Sequence, residues 1–485
     1  YNIYLMGGGL IQLMAIGPQN NKICGNPKVS FFKCVYSQYC NFGIEWFYQY
    51  FQGEKKLGKT IKCILDKKGD LLREMYIVFE ISSNSYEIPK LGLRLIDYVE
   101  IQIGGQTIDK HYGEWLDIWT QLNYTHGKYE VFKSLIKDKY SSSTQSSTTT
   151  TNNCGSTSIK RLYVPLIFWF NLNPGLALPL VSLQYHEVTL YLKIKALEDL
   201  QIYTTKTPTS KAPLAANSNN KLFEPATGGG NVWGNVITTT STNDVVGENT
   251  IAFIDMSGGS YGPQPSKWHT TIFNGEIHDV YLMCEYIFLD VKQKKRFALA
   301  ETEYLITQVQ YTDKLDLNPL TVAGPTATAS ISLQFNHPIK QLIFAVYPSS
   351  LNNFMIYKNM DNSFTVDNIE LYANNSKITE INNVEFYTLL KPFAHYNCGG
   401  FTSSDKVTNF NGGFYLYSFG INPASFQPSG SLNFSRLNDF SINFTYVKTD
   451  AQYTTIAEPY KFMAFGHNYN ILKIKNGMGG ILYSS

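Results

Sequence analysis

Charge is scarce in this chain. Only 16% of its 485 residues are Asp, Glu, Lys or Arg, against roughly 25% in an ordinary soluble domain. The 40 basic side chains nearly balance the 38 acidic ones, so no whole-chain field draws in nucleic acid or an anionic membrane. Any such partner must be met locally. Cysteine is sparse as well. Cys24, Cys34, Cys40, Cys63, Cys154, Cys284 and Cys398 are odd in number and scattered, which excludes a disulfide scaffold and favours a reducing compartment. None forms a C-x-x-C pair, and Cys34 with Cys40 has no matching His or Cys pair nearby. Buried apolar thiols are therefore expected rather than a zinc site.

Long apolar helical runs are missing too. Tyr1 to Asn21 lacks a basic leader region and a clean cleavage site, and Gly7, Gly8, Gly9 and Gly17-Pro18 interrupt it; it reads as an arm. Leu162 to Tyr185 carries Pro165, Pro174 and Pro179, which break a spanning helix, so two buried strands with a turn are expected there.

What the chain has in quantity is aromatic residues, 34 Tyr and 30 Phe, which favour strands. Period-two alternation recurs: Val188, Leu190, Leu192 and Ile194 face one way, and Phe440, Ile442, Phe444 and Tyr446 repeat the device. Further strands are predicted at Met75 to Ile81, Tyr98 to Ile103, Val280 to Val291, Ile331 to Phe335, Gln341 to Tyr347 and Phe414 to Ile421. Helical spacing is confined to Gly113 to Leu122, with Trp115, Leu116, Trp119 and Leu122 on one side, and to Tyr129 to Lys137. Low-complexity segments, Ser141 to Asn153 and Thr204 to Gly262, cannot bury enough apolar surface to offset their ordering entropy and belong on exposed loops.

One motif occurs twice. Asn173 to Leu183 reads NPGLALPLVSL and Asn422 to Leu432 reads NPASFQPSGSL, both N-P-x4-P-x2-S-L, about half the chain apart. Each follows an aromatic-rich segment read as a strand (Leu166 to Phe170; Tyr415 to Phe419) and precedes an alternating strand. Two similar β units follow, and units of this size with long loops point to jelly-roll sandwiches.

The sequence resembles the double jelly-roll major capsid proteins of nucleocytoplasmic large DNA viruses. The resemblance is carried by GGGLIQLMAIGPQN (Gly7 to Asn20), GNPKVSFFKCVYSQYCNFGIE (Gly25 to Glu45), KKGDLL (Lys67 to Leu72) and GGQTIDKHYGEW (Gly104 to Trp115). It continues through RLYVPLIFWFNLNPGLALPLVSLQYHEVTLYL (Arg161 to Leu192), EYIFLDVKQKKRFA (Glu285 to Ala298), FNHPIKQLIF (Phe335 to Phe344), YLYSFGINPASFQPSGSLNFSRL (Tyr415 to Leu437) and NYNILKIKNGMGGILYSS (Asn468 to Ser485). It departs after the FFK block, where the family often has an Arg-rich stretch and this chain has Ser37, Gln38 and Tyr39. The insertions match no family block.

The resemblance implies an all-β fold of two tandem eight-stranded jelly-roll β-sandwiches with long loop insertions and a few short helices. It divides the chain into an arm (1–27), a first jelly roll (28–296) with insertions near 141–158 and 204–275, and a second jelly roll (297–485). It further implies a homotrimeric, pseudo-hexagonal capsomer that meets neighbouring capsomers in an icosahedral shell around a double-stranded DNA genome. Insertions of this kind form the outward tower of the capsomer. The arm Tyr1 to Pro27 would meet minor capsid proteins on the inner face. Assembly in the host cytoplasm, no cofactor and no sequence-specific nucleic-acid binding complete the expectation.

Chemical motifs offer less. GGSYG at Gly258 to Gly262 matches a nucleophile elbow in letters, but Ser260 lacks the preceding strand and following helix that expose such a serine. His111, His186, His337 and His395 stand apart, without a carboxylate at useful spacing, and are read as structural; no metal is assigned. Asp109, Glu114 and Asp117 are read as acidic bias in the first turn of a short helix. Lys292, Lys294, Lys295 and Arg296 form a basic run, read as a solvated strand end between the two jelly rolls. Lys55, Lys56 and Lys59 are read as an exposed hairpin loop. No P-loop or dinucleotide fingerprint occurs. Of the N-x-S/T sites, Asn433 and Asn443 fall in predicted strands, which leaves Asn123 and Asn374 as candidate glycan acceptors. A minor capsid paralogue, a carbohydrate- or receptor-binding sandwich and a sandwich hydrolase using Ser260 or a carboxylate pair remain as rivals.

Overall fold

A computed structural model describes residues 36–83, 90–136, 159–200, 202–206, 266–270, 275–317, 326–348, 364–399, 414–448 and 460–483, with Leu13, Gly17, Pro18, Asn26, Pro27, Phe32 and Cys34. Tyr1–Asn41 forms one unit and Phe42–Ser485 another. In the first, the described Leu13 and Tyr36 are exposed. Both low-complexity segments lie outside the described residues, apart from the strands that flank the second.

In the larger unit, the first half supplies β1 (Phe42–Tyr50), β2 (Thr60–Ile64), β3 (Leu71–Ser83), β4 (Ile96–Ile103), β5 (Gln106–Tyr112), β6 (Ile159–Pro165), β7 (Val188–Ile194), β8 (Ile202–Lys206), β9 (Ser266–Thr270) and β10 (Gly275–Leu289). The second half supplies β11 (Thr302–Leu317), β12 (Thr326–Ser332), β13 (Pro338–Pro348), β14 (Phe364–Ala373), β15 (Ser376–Lys377), β16 (Tyr415–Ser418), β17 (Leu432–Asn433), β18 (Phe440–Lys448), β19 (Tyr460–Lys475) and β20 (Met478–Ile481). The sheets run β1-β10-β3-β6 and β2-β7-β4-β5, then β11-β19-β13-β16 and β12-β18-β14-β15. Setting aside the β8–β9 ribbon, β17 and β20, each half has, among the described residues, eight strands paired in the order 1-8-3-6 and 2-7-4-5. That is one jelly roll, made twice. The repeated Pro-rich motif sits at the same step in both, between the sixth and seventh strands.

Burial follows the alternation. Along β7 the pattern is strictly buried and half-buried in turn, with Val188, Leu190, Leu192 and Ile194 inside. Ile77, Phe79 and Ile81 on β3 face the same core, and burying each such side chain contributes about 1.5–3 kcal/mol. The sheet led by β11 departs from this rule, because both of its faces are covered. Leu342, Phe344 and Val346 of β13 fill the second sandwich, while Ile343 and Ala345 join the apolar cluster of the first. A strand covered on both sides reads as the continuous apolar run seen in LIFAV. The second sandwich thus shares its central sheet with its neighbour's core.

Three local expectations need correction. Leu162 to Tyr185 is not two strands: β6 ends at Pro165, and the helical turn Trp169–Leu172 and the 3-10 turn Pro174–Leu176 follow. Asn171 turns the chain there, its Oδ1 accepting from Phe168 N at 3.1 Å, and Asn173 Oδ1 accepts from Gly175 N at 2.9 Å. The segment Leu166 to Phe170 ahead of the first motif copy is accordingly no strand. The basic run is not a strand end but part of a helix, Val291–Leu299, that leads from β10 to β11.

Candidate functional site

The helix Gly113–Asn123, which follows β5, lies on the sheet led by β11. Its Trp115 packs against Phe465 and His467 of β19, ring centroids 5.5 and 5.2 Å away, and Tyr112 meets Tyr311 at 4.3 Å. Polar groups fix the register of this seam. Val309 N of β11 donates to Asp109 Oδ1 at 3.0 Å, and Gln308 Nε2 donates to Ile108 O. Asp109 Oδ2 lies 2.9 Å from His111 Nε2, and the His111 ring stacks on Phe168 at 4.4 Å. A second strand of contacts joins Tyr396 OH to Gln341 Oε1 and Gln341 Nε2 to His467 Nδ1, the latter at 3.1 Å. His467 is held well below the ordinary imidazole range, chiefly by burial and further by Lys340 and His111. It therefore stays neutral and accepts the amide proton.

His111 thus has the carboxylate partner that its spacing did not reveal. The pair is shut away, His111 being 2% and Asp109 4% exposed, so it orders the seam between the sandwiches and meets no solute. The other two acidic candidates also part company with Asp109. Glu114 is paired with Lys195 Nζ at 2.8 Å and Asp117 with Lys90 Nζ at 2.8 Å, both carboxylates being buried. These are buried ion pairs rather than first-turn decoration. Burial without a carboxylate contact pushes the Lys340 ammonium down to about 7, its Nζ standing 5.4 Å from the Tyr469 ring centroid.

The remaining candidates scatter. His186 Nδ1 lies 2.9 Å from Gly479 O and His395 Nδ1 lies 3.0 Å from Ile421 O. His337 sits at a positive φ of 65°. Lys55 pairs with Asp279, whereas Lys56 and Lys59 are exposed on the β1–β2 loop. Lys294 Nζ reaches Asp70 Oδ1 at 2.7 Å while Leu289 N donates to Asp70 Oδ2 at 2.9 Å, so one member of the basic run anchors the connecting helix. Cys63 and Cys284 are buried, but Cys34 and Cys40 are exposed and Cys398 half-buried; the expectation of buried thiols holds for only part of the set. Asn123 is half-buried, its Nδ2 donating to Trp119 O at 3.0 Å. Asn374 is exposed in the β14–β15 turn, its Oδ1 accepting from Asn438 N at 2.8 Å. Cys24, Cys154 and Ser260 lie outside the described residues.

Two surfaces are apolar and open. Along β1, Ile44, Trp46, Tyr48 and Tyr50 project from the outer face of the first sandwich. On the second, the helical segment Phe386–Leu390 and Lys391–His395 carries exposed Leu390 and Phe393. Among the described residues, no helix is long and apolar enough to cross a membrane, and no group of three His, Cys, Asp or Glu side chains is placed to hold a metal ion.

Two sandwiches of the same strand order, joined through a shared sheet, define a double jelly-roll protein. Residues 30–238 match the family described as the major capsid protein N-terminus, and residues 293–480 that described as the large eukaryotic DNA virus major capsid protein. The major capsid protein of Pyramimonas orientalis virus is 31% identical over 497 residues, spanning 99% of this chain and 100% of that protein. That of Paramecium bursaria Chlorella virus 1 is 28% identical over 526 residues, again spanning 99% and 100%. The crystal structure of PBCV-1 VP54, fitted into a reconstruction of the virophage Sputnik, superposes with a TM-score of 0.65 at 25% identity, covering 94% of this chain and 100% of VP54. The chain belongs to the major capsid proteins of large eukaryotic DNA viruses. Its place is the capsid of the virion, among other capsid subunits.

Proposed function

We propose that the protein acts as a purely structural, non-enzymatic subunit that forms a homotrimer, six sandwiches in a pseudo-hexagonal capsomer, tiling an icosahedral shell around a double-stranded DNA genome. The observation that carries this reading is the shared sheet: with both faces of β13 and β19 buried, the two sandwiches are one block, and three blocks supply six nearly equivalent units. Neighbouring capsomers would meet through the outer surfaces. The arm Tyr1 to Pro27 would meet minor capsid proteins on the inner face, the insertions near 141–158 and 204–275 would form the outward tower, and assembly would take place in the host cytoplasm. The first jelly roll would run from 28 to 296 and the second from 297 to 485, a boundary supported by β10 ending at Leu289 and β11 beginning at Thr302. No sequence-specific contact to DNA is part of this reading.

Light scattering coupled to size exclusion tests it. A stable species of three times 54.9 kDa is expected; a monomer would overturn the trimer and favour a binding sandwich. Glycan attachment at Asn123 or Asn374 is read by peptide mass spectrometry of virion protein. Asn374 is the better placed of the two, because its turn is exposed and its Oδ1, rather than its amide nitrogen, makes the contact to Asn438.

A further inference from the structure

The seam inside the chain is built from parts that occur twice. In the first sandwich, the helix between the fifth and sixth strands lays Trp115 on β19. The loop between the sixth and seventh strands reaches the β19–β20 turn, Tyr185 N donating to Gly477 O at 3.0 Å beside the His186 contact to Gly479. Both land on the second sandwich's sheet of order 1-8-3-6.

The second sandwich owns the same two connections, and there they are uncovered. Its helical segment between the fifth and sixth strands bears Leu390 and Phe393. Its loop between the sixth and seventh strands bears Ile421, held beside the helix by His395. Phe393 and Ile421 are each 84% exposed. The first sandwich in turn owns the same sheet, and its outer face is also open: Trp46 is 42% and Tyr48 53% exposed, backed by Tyr76 and Tyr281 at ring distances of 5.8 and 5.4 Å. Each chain thus carries one unused donor and one unused acceptor of a seam that it has already made once.

We infer that the Leu390, Phe393 and Ile421 knob of one copy docks on the Trp46 and Tyr48 face of a second copy of this chain. The inference rests on the capsomer reading and names the surfaces through which it would form. Donor and acceptor differ, so the contact is heterologous and closes only as a ring; three copies give six sandwiches joined by seams of one kind, alternately within and between chains. Trp and Tyr at the centre of the acceptor are the residue types that dominate such interfaces.

Two variants of the full chain test it: Trp46→Lys/Tyr48→Lys removes the acceptor and Leu390→Lys/Phe393→Lys the donor. All four side chains are exposed, so the circular dichroism spectrum and unfolding midpoint of the monomer should be kept. Each variant alone is expected to lose the trimer and run at 54.9 kDa. Mixed, they retain one intact donor and one intact acceptor, and should pair at twice that mass and stop. A folded variant that still trimerises, or a mixture that stays monomeric, overturns the contact while leaving a trimeric wild type in place. A monomeric wild type overturns both this contact and the capsomer reading. Should either lysine variant not fold, Tyr48→Cys/Phe393→Cys supplies the second readout. A short bismaleimide should join chains beyond the level of either single variant, and no excess cross-linking overturns the docking.

Discussion

Trp115 and His467 meet edge to face, their rings 5.2 Å apart with planes at 73°, one on the helix after β5 and the other on β19. The contact joins residues from opposite halves of the chain in one core. Coupling of the two sandwiches should therefore be visible in stability.

Trp115→Ala removes the largest fully buried side chain of the seam. Loss of an aromatic of this size from a core costs about 3–5 kcal/mol. Urea unfolding of the isolated subunit should show a correspondingly lower midpoint, and a loss below about 1 kcal/mol would mean that the seam contributes little.

Lys340 gives the seam a pH dependence. The unfolded chain keeps its ammonium proton up to the ordinary 10.5, whereas the folded protein releases it near 7. Between those values the unfolded state binds the extra proton, so stability rises with pH. From pH 7 to 8.5 the gain is about 1–2 kcal/mol, and Lys340→Met should abolish it. Comparing the two proteins cancels the opposing ionisation of other groups. Equal slopes of unfolding midpoint against pH would refute the assignment.

Gly399 is one of the places, with Cys398 and Gly477, where the second sandwich touches the first backbone to backbone. Its N donates to Tyr124 O at 2.9 Å, and a Cβ on it would stand 2.2 Å from that same oxygen. Backbone cannot swing aside as a side chain can, so Gly399→Ala should destabilise the protein by about 1–3 kcal/mol, measured by thermal unfolding. Gly127→Ala, whose added Cβ meets nothing within 4 Å, serves as the control.

Thiol reactivity should divide the cysteines. Burial pushes Cys63 up to about 12 and raises Cys284 further, which removes the reactive thiolate at neutral pH. Brief alkylation of native protein, read by peptide mass spectrometry, should label Cys34 and Cys40 and spare Cys63 and Cys284 until denaturant is added. Early labelling of Cys284 would contradict the packing of β10.

The alternation of Val188 to Ile194 predicted β7 to the residue, since a strand with one wet face must alternate. The two N-P-x4-P-x2-S-L copies likewise placed one connection of each sandwich, and the family blocks named the fold. Leu166 to Phe170 misled because aromatic, apolar runs suit a strand and a buried helical turn equally; the choice fell to Asn171, whose Nδ2 also donates to Arg73 O at 2.5 Å.

The ion pairs of Glu114 with Lys195 and of Asp117 with Lys90 join residues too far apart in sequence for any motif to link, and the same holds for Trp115 on His467. Nor does the string FGIEWFYQY disclose that Trp46 is open while Phe344, in an equally apolar run, is buried. Local periodicity marked many of the strands, the repeated motif pointed to two similar β units, and the resemblance of the family blocks carried the double jelly roll and the family. Which faces are covered, which charges are paired and which apolar surfaces remain free for another copy depend on contacts between distant segments, and only the folded chain decides those.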